Sequence, residues 1–573
     1  MVFLPPASYP ALPVGEFVTN PEYGRFSITR SRDPYTCGIT GLSRSAAQVA
    51  ERTDWLARAV AKRLSFHPNQ DTEWDKVVCL YSVNTIDYVP LTHAIHRLSG
   101  IVTPASAAYS HQELAHVLRS SGSRALFTCV SLLDNALKAA DATGITRDRV
   151  FLLPVPKTPS DSRLTTLDDL AAEGGSLPQL APLKWVKGQG ARQTAYLCYS
   201  SGTSGLPKAV MLSHLNVIAN VVQVRLVDSV ARKRLRFDTQ TTLGVLPLSH
   251  IYALTLVATL AQYRGDRVVV LPQFEPDSFL RSIQQYRIEQ LSVVPPMLIF
   301  LIMNKGRVSK YDLSSVRFVY SGAAPLGAEV IDGILRMFPD WHIGQGYGMT
   351  EASPVIVTTS EVDLRYGSSG CLVPGSRAKV IDAHGNEVTA LDTRGELLSQ
   401  SPSVVLGYLN NEKANAETFV WHDDGRWLRT GDEVLVQKSA QGTEHFVITD
   451  RIKELIKVKG HQVAPAELEA HLLSHPYVSD CAVIPILDQR AGEVPKAYVV
   501  KAPPATSADK SLSDEAVVGA ITKHVRDHKA PHKWIRDVEF IDAIPKSPSG
   551  KILRKILREK EKGRRQRAGS VKL

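Results

Sequence analysis

Through most of its first 440 residues this chain alternates short apolar runs with amphipathic helical spacings, and that alternation admits few folds. Apolar runs fall at residues 76–82, 125–130, 267–271 and 316–321, while segments such as 43–65 and 111–120 carry Leu, Ala and Val at helical spacing. Strands and helices in this order build α/β layers with largely parallel sheets. At 573 residues the chain is too long for one core, so two or more domains are expected. The pattern breaks near Asp450, after a polar stretch at 437–444. Beyond it a compact unit reads as a helix at 465–474, with Pro465 suited to the first helical position and Glu467 to the first turn. Strands at 481–486 and 497–500 and a helix at 514–528 follow.

Hydrophobic content of 44% with 22% charged residues is that of an ordinary globular protein. The six cysteines (Cys37, Cys79, Cys129, Cys198, Cys371 and Cys481) are scattered without a CxxC pair, which argues for free thiols in a reducing compartment and against a zinc site. The longest apolar runs, at 251–263 and 291–303, fall short of a membrane span. The N-terminus carries early prolines and no basic n-region, so a signal peptide is not expected. A formal net charge of +10 suggests nucleic acid at first sight. Residues 551–573, however, hold ten Lys/Arg and two Glu, which leaves the other 550 residues at about +2. The excess reads as a solvated helix end, and nucleic-acid binding is not expected.

The segment that carries chemistry is Tyr199-Ser200-Ser201-Gly202-Thr203-Ser204-Gly205-Leu206-Pro207-Lys208. Four small hydroxyl residues, two glycines and a closing lysine suit an anion, because glycine lets backbone N–H groups approach a polyphosphate. The P-loop of NTPases needs four residues between its first glycine and Gly-Lys-Ser/Thr. Here two residues separate Gly202 from Gly205, and residues 209–212 read as strand rather than helix.

Four further segments join this loop in a fixed order. They are Gln345-Gly346-Tyr347-Gly348-Met349-Thr350-Glu351, then Arg429-Thr430-Gly431-Asp432, then the stretch from Asp450-Arg451-Ile452-Lys453 through Lys457, Gly460 and Gln462 to Pro465, and finally Pro545-Lys546-Ser547-Pro548-Ser549-Gly550-Lys551. Together they resemble the adenylate-forming superfamily, and most closely its acyl-CoA synthetases and 4-coumarate–CoA ligase-like enzymes. The resemblance runs from about Val77 to Lys555. It implies an α/β fold with a large N-terminal domain of layered subdomains, residues 1–449, and a small mobile α+β C-terminal domain, residues 450–573, with the active site between them.

The activity that the resemblance implies is ATP-dependent activation of a carboxylic acid as acyl-AMP, then transfer to coenzyme A. Attack of a carboxylate on the α-phosphate needs positioning and charge neutralisation more than a general base. By resemblance, Ser200, Ser201, Gly202, Thr203, Ser204, Gly205 and Lys208 cradle the triphosphate, Thr350 touches the α-phosphate, and Glu351 holds Mg²⁺. Gly346, Tyr347 and Gly348 approach adenine and the acyl group, while Asp432 binds the ribose hydroxyls and Arg451 adds a contact to ribose or phosphate. Lys551 is the adenylation lysine, which bridges carboxylate and α-phosphate. Lys453 is the hinge about which the C-terminal domain turns, and Lys457, Gly460 and Gln462 line the site for the thioester step.

His250 is implied beside the substrate carboxylate, and Tyr252, Leu256, Tyr320, Ala323 and Val355 are implied to line an apolar acyl pocket. No Asp in residues 250–256 can meet an α-ammonium, which argues against amino-acid substrates. Leu256 departs from the hydroxyl residue of coumarate-specific members, favouring an unsubstituted aryl or medium-chain acid. A carrier-protein thiol in place of CoA, or a non-catalytic adenylate-binding regulator, are the alternatives. The C-terminal Val571-Lys572-Leu573 resembles the tripeptide read by the peroxisomal import receptor, although Val571 departs from the usual small residue. The expected location is the peroxisome, with the cytoplasm as the alternative.

Overall fold

The computed structural model describes residues 12–157, 164–200, 207–459, 461–488, 490–502, 513–547 and 550–570, with no side chains after 564. The apolar run near Val77 forms the strand Val77–Tyr81, every residue of it buried. Alternate side chains leave a strand on opposite faces, so such a run needs cover on both. Val78 and Leu80 pack in one core with Leu56 and Val60 of the helix Ala46–Leu64, and Cys79 and Tyr81 in a second with Leu114 and Leu118 of the helix His111–Ser121. Both helices start at a serine whose hydroxyl and third-residue partner close a reciprocal cap, Ser45 with Gln48 and Ser110 with Glu113.

Val77–Tyr81 runs parallel to Ile101–Ala105 and Ala125–Thr128 inside a seven-stranded sheet. Thr194–Ser200, Lys208–Ser213 and Gly407–Tyr408 extend one side of it, the last two antiparallel to their neighbours. A nine-stranded sheet has six parallel strands in its middle: His342–Gly348, Phe318–Ser321, Gln290–Val293, Thr241–Gly244, Arg267–Val270 and Tyr35–Cys37. A third sheet, of five strands between Arg377 and Arg451, is wholly antiparallel. The expectation of largely parallel layers up to residue 440 fails there. Connections as short as the one between Phe419–His422 and Gly425–Lys438 permit only hairpins.

One large hydrophobic core runs from Val14 to Phe446, and a separate core gathers residues from Ile456 to Ile535. The second belongs to a small α+β unit, in which Gly492–Lys501 pairs with Ile456–Val458, Val478–Asp488 and Asp537–Phe540. The layered α/β architecture with a small α+β unit is thus as the sequence implied. The strand Glu444–Arg451 still belongs to the third sheet at its end, where Arg451 lies opposite Asp432. Asp450 Oδ2 accepts from Ala466 N at 3.0 Å and so ties that strand end to the start of the helix Pro465–Leu472. The predicted helix at 514–528 appears as Asp514–His528, and the basic tail continues as the helix Arg554–Ser570. All six cysteines are unpaired, and among the described residues no helix is long and apolar enough to cross a membrane.

Candidate active site

The hairpin that carries the Ser/Gly loop is locked at its base, where Ser200 ends one strand opposite Lys208, the first residue of the next. Ser201, Gly202, Thr203, Ser204 and Gly205 lie outside the described residues, as do Gly460 and the C-terminal tripeptide. Ser200 Oγ donates to Glu351 Oε1 at 3.1 Å. Tyr408 Oη donates to the same oxygen at 2.8 Å, and Lys208 Nζ sits 4.7 Å from the centroid of the Tyr408 ring. Glu351 is only 5% exposed and stands in the short 3₁₀ turn Thr350–Ala352 directly after the strand His342–Gly348. Thr350 opens that turn and is half-buried.

Tyr408 was not anticipated from the sequence. Its strand pairs Tyr408 with Val210 and Gly407 with Met211, and Asn415 Oδ1 accepts from its backbone N–H at 2.7 Å. No local spacing signals a tyrosine that reaches Glu351 from another strand.

Gly346 and Gly348 owe their identity to contacts inside the protein. A Cβ on Gly346 would stand 1.9 Å from Tyr320 Oη, and one on Gly348 2.0 Å from Pro354 O. Between them, Tyr347 Oη donates to Asp432 Oδ2 at 2.5 Å. Arg451 Nε lies 3.6 Å from Asp432 Oδ1, across the strand pair that joins the two residues. Burial raises the Asp432 pKa, while the Arg451 guanidinium, the Tyr347 hydroxyl and the Lys551 ammonium all favour its carboxylate.

Lys551 reaches this site from the small unit. Its turn is closed by Gly550 N donating to Ser547 O and Ser547 N to Lys551 O, both at 2.8 Å, with Gly550 at φ +82°. A Cβ on Gly550 would lie 3.3 Å from Val294 Cγ2, so the turn rests directly on the large unit. Burial and the Arg451 guanidinium pull the Lys551 ammonium down to about 8, opposed by the charges of Glu454, Asp432 and Glu351. Partial burial and the Lys551 ammonium likewise hold the His250 imidazole at about 4, so it is neutral at pH 7. Three residues beyond Lys551, Arg554 donates to Glu454 Oε2 and Glu469 Oε2, each at 2.6 Å, in a nearly buried pairing. Neither carboxylate was singled out from the sequence.

The residues expected to line the acyl pocket are spread over several elements. Leu256 and Tyr320 line one cleft open to solvent, beside Leu260 and Phe318. The same cleft is also lined by Asp228, Arg264, Gln290 and Glu361, so it is not apolar throughout. Tyr252 donates through Oη to Tyr320 O at 3.0 Å, and Tyr320 Oη pairs with Thr358 Oγ1 at 2.7 Å. Tyr252 opens a π-helical stretch, Tyr252–Thr259, a wide helical form frequent at functional sites. Val355 is buried in the strand that carries Thr358, and Ala323 is exposed in the left-handed region at φ +68°.

Ser200, Lys208, Glu351, Tyr347, Asp432, Arg451, His250 and Lys551 are thus linked by hydrogen bonds, ring contact or electrostatic reach. Lys453, Lys457 and Gln462 are not. All three are exposed, with Lys457 opposite Gln462 on the hairpin formed by Ile456–Val458 and His461–Val463.

The profile of the AMP-binding enzyme family matches residues 43–409, and that of the AMP-binding enzyme C-terminal domain matches residues 467–551. The chain is 40% identical to acyl-CoA ligase AKT1 of Alternaria alternata, over 97% of each chain. It is 36% identical to acyl-CoA ligase easD of Emericella nidulans, over 97% of this chain and all of that one. Among solved structures, the anthranilate CoA ligase AuaEII in complex with anthranoyl-AMP has a similar fold at TM-score 0.80 and 22% identity, covering 98% of this chain and 99% of its own. A match that spans both halves of the site, together with near full-length relatives, leaves one assignment: the chain belongs to the AMP-binding enzyme family.

Proposed function

We propose that this chain is an AMP-forming acyl-CoA ligase, which joins a carboxylic acid to AMP with release of pyrophosphate and then transfers the acyl group to coenzyme A. The observation that carries this reading is the position of Lys551: the small unit brings its ammonium into electrostatic reach of Glu351, Asp432, Arg451 and His250. A mobile cation at the meeting point of an anion loop and a carboxylate is what neutralises charge as a carboxylate attacks phosphorus. The acyl-CoA ligases at 36–40% identity support the same activity.

On this reading Ser200, Lys208 and the loop between them bind the triphosphate, Thr350 meets the α-phosphate, and Asp432, held by Tyr347 and Arg451, takes the ribose hydroxyls. Neutral His250 hydrogen-bonds the acid's carboxylate rather than pairing with it as a cation. Glu351 fits Mg²⁺, which takes oxygen ligands and binds through one or two carboxylates together with substrate phosphates. There it would offset polyphosphate charge. Residues 450–573 then turn about Lys453, withdraw Lys551 and bring Lys457 and Gln462 to the site for thioester formation. The apolar body of a medium-chain or aryl acid lies against Leu256 and Tyr320. Import into the peroxisome through Val571-Lys572-Leu573 belongs to the proposal and is tested by locating a fluorescent fusion with and without the tripeptide.

The test of the activity is incubation of the purified protein with ATP, Mg²⁺, CoA and a panel of aryl and fatty acids, following products by mass spectrometry. An acyl-CoA that disappears in Lys551→Ala is expected. Acyl-AMP with no thioester on any acid, or no pyrophosphate released by the panel, overturns the ligase reading.

A further inference from the structure

Four histidines of the small unit gather where its two main helices meet. His471 lies in the last turn of Pro465–Leu472, with His475 just beyond, while His524 and His528 are four residues apart at the end of Asp514–His528. Ring centroids are separated by 4.2 Å for His471–His524, 5.2 Å for His524–His528 and 5.3 Å for His471–His528, with His475 5.2 Å from His524. One ring nitrogen from each of His471, His524 and His528 lies within 4.8 Å of the other two. We propose that His471, His524 and His528 form a binding site for a divalent transition metal of the zinc class, with the fourth position open to water or to His475.

Three features support this. An all-imidazole donor set suits zinc, copper and nickel, whereas magnesium and calcium take oxygen ligands. Two histidines at i and i+4 share a helix face, a spacing used for zinc, and the neighbouring helix adds the third. Each ring also spends one nitrogen on a protein oxygen: His471 Nε2 on His524 O at 3.3 Å, His524 Nε2 on Ser474 Oγ at 3.1 Å, and His528 Nδ1 on His524 O at 2.8 Å. A ligating histidine commonly binds metal with one nitrogen while the other is held in this way. Ligation requires the stacked rings of His471 and His524, now 6° from parallel, to turn so that both nitrogens point at one ion about 2.0–2.1 Å away.

Lys529 is held 3.1 Å from Glu467 Oε1, and Asp527, next to His528 in sequence, pairs with Lys523. The argument from cysteine spacing against a zinc site does not touch a site built only of histidines.

The test uses the full chain, stripped with a chelator and titrated with Zn²⁺ against a chromophoric competitor, with Co²⁺ as a spectroscopic stand-in. One equivalent is expected, with a rise in thermal midpoint and a tetrahedral Co²⁺ spectrum of nitrogen ligands. His524→Gln and His528→Gln should each weaken binding by more than the roughly 10–100-fold that loss of an outer partner costs. Unchanged acyl-CoA formation by the metal-free variants verifies their fold. Absence of stoichiometric binding overturns the proposal, and so does binding that survives the double variant or that moves with substitution of Cys371, which forms a cluster with Asp363 and His445.

Discussion

Lys551 offers the sharpest test of the proposed chemistry, because its protonation is set by the site that it enters. An ordinary lysine titrates at 10.5, and burial together with the Arg451 guanidinium brings this one to about 8. Adenylation needs the ammonium form. With a pKa of about 8 the protonated fraction falls from about nine tenths at pH 7 to about one tenth at pH 9, so kcat/KM for ATP should drop about tenfold over that interval. A lysine at its ordinary pKa would lose only a few per cent. His250, held at about 4, is neutral throughout this range and adds no limb of its own. Bound ATP favours the ammonium, so the limb in kcat should lie at higher pH than the limb in kcat/KM. The assay is pyrophosphate release with CoA left out, which removes the thiol's titration from the profile. Lys551→Arg keeps a cation that does not deprotonate in this range, and the limb should vanish even though the rate is lower. A native profile flat to pH 9, or a limb near pH 8 that persists in Lys551→Arg, would refute the reasoning.

Three further outcomes are expected. Glu351→Gln should cut adenylation by two or more orders of magnitude and raise the Mg²⁺ needed for half-maximal rate, measured by pyrophosphate release across a Mg²⁺ titration. Tyr347→Phe removes the hydroxyl that holds Asp432 and should raise the KM for ATP by about tenfold with little change in kcat, since a hydrogen bond to a charged group contributes about 1.5–3 kcal/mol; steady-state kinetics at varied ATP decides. A Cβ on Gly327 would lie 2.9 Å from Ala470 Cβ, so Gly327→Val wedges the small unit off its seat and should slow adenylation at least about tenfold while sparing thioester formation from supplied acyl-AMP, measured as separate half-reactions.

What was legible in the sequence was local. The strand run near Val77, the helix that starts at Pro465, and the motif positions of Lys208, Glu351, Asp432 and Lys551 each declare themselves within a few residues. Tyr408 did not, because its role depends on a strand pairing with Lys208–Ser213 and a hydrogen bond to a residue 57 positions away. The Arg554 pairing with Glu454 and Glu469 spans 100 and 85 positions, and nothing in the basic tail distinguishes Arg554 from its solvated neighbours. Gly346 was read as allowing close backbone approach, and the structure gives a further reason for glycine there, since a Cβ would stand against Tyr320. Asp228, Arg264 and Glu361 reach the cleft beside Leu256 and Tyr320 from three separate segments, so no pattern along one segment could announce its mixed lining.

The placement of these groups also bears on how one site can serve two reactions. Lys551 stands within electrostatic reach of Glu351, Asp432 and Arg451, while Lys457 and Gln462 on the same small unit are exposed; on the proposed reading the two sets serve the site in turn. Several contacts hold the present arrangement, among them Asp450 with Ala466 and Ile452 N with Gly431 O. The turn at Gly550 rests on Val294, Ala470 rests on Gly327, and Arg451 meets Asp432 at 3.6 Å with its side chain about a third exposed. Within the small unit the ties are stronger: Arg554 is nearly buried between Glu454 and Glu469, and breaking such a pair by removing one partner costs about 3–5 kcal/mol. Arg554, three residues after Lys551 and bonded to Glu454 one residue past Lys453, ties the Lys551 turn to the Lys453 segment, as the proposed rotation of that unit requires.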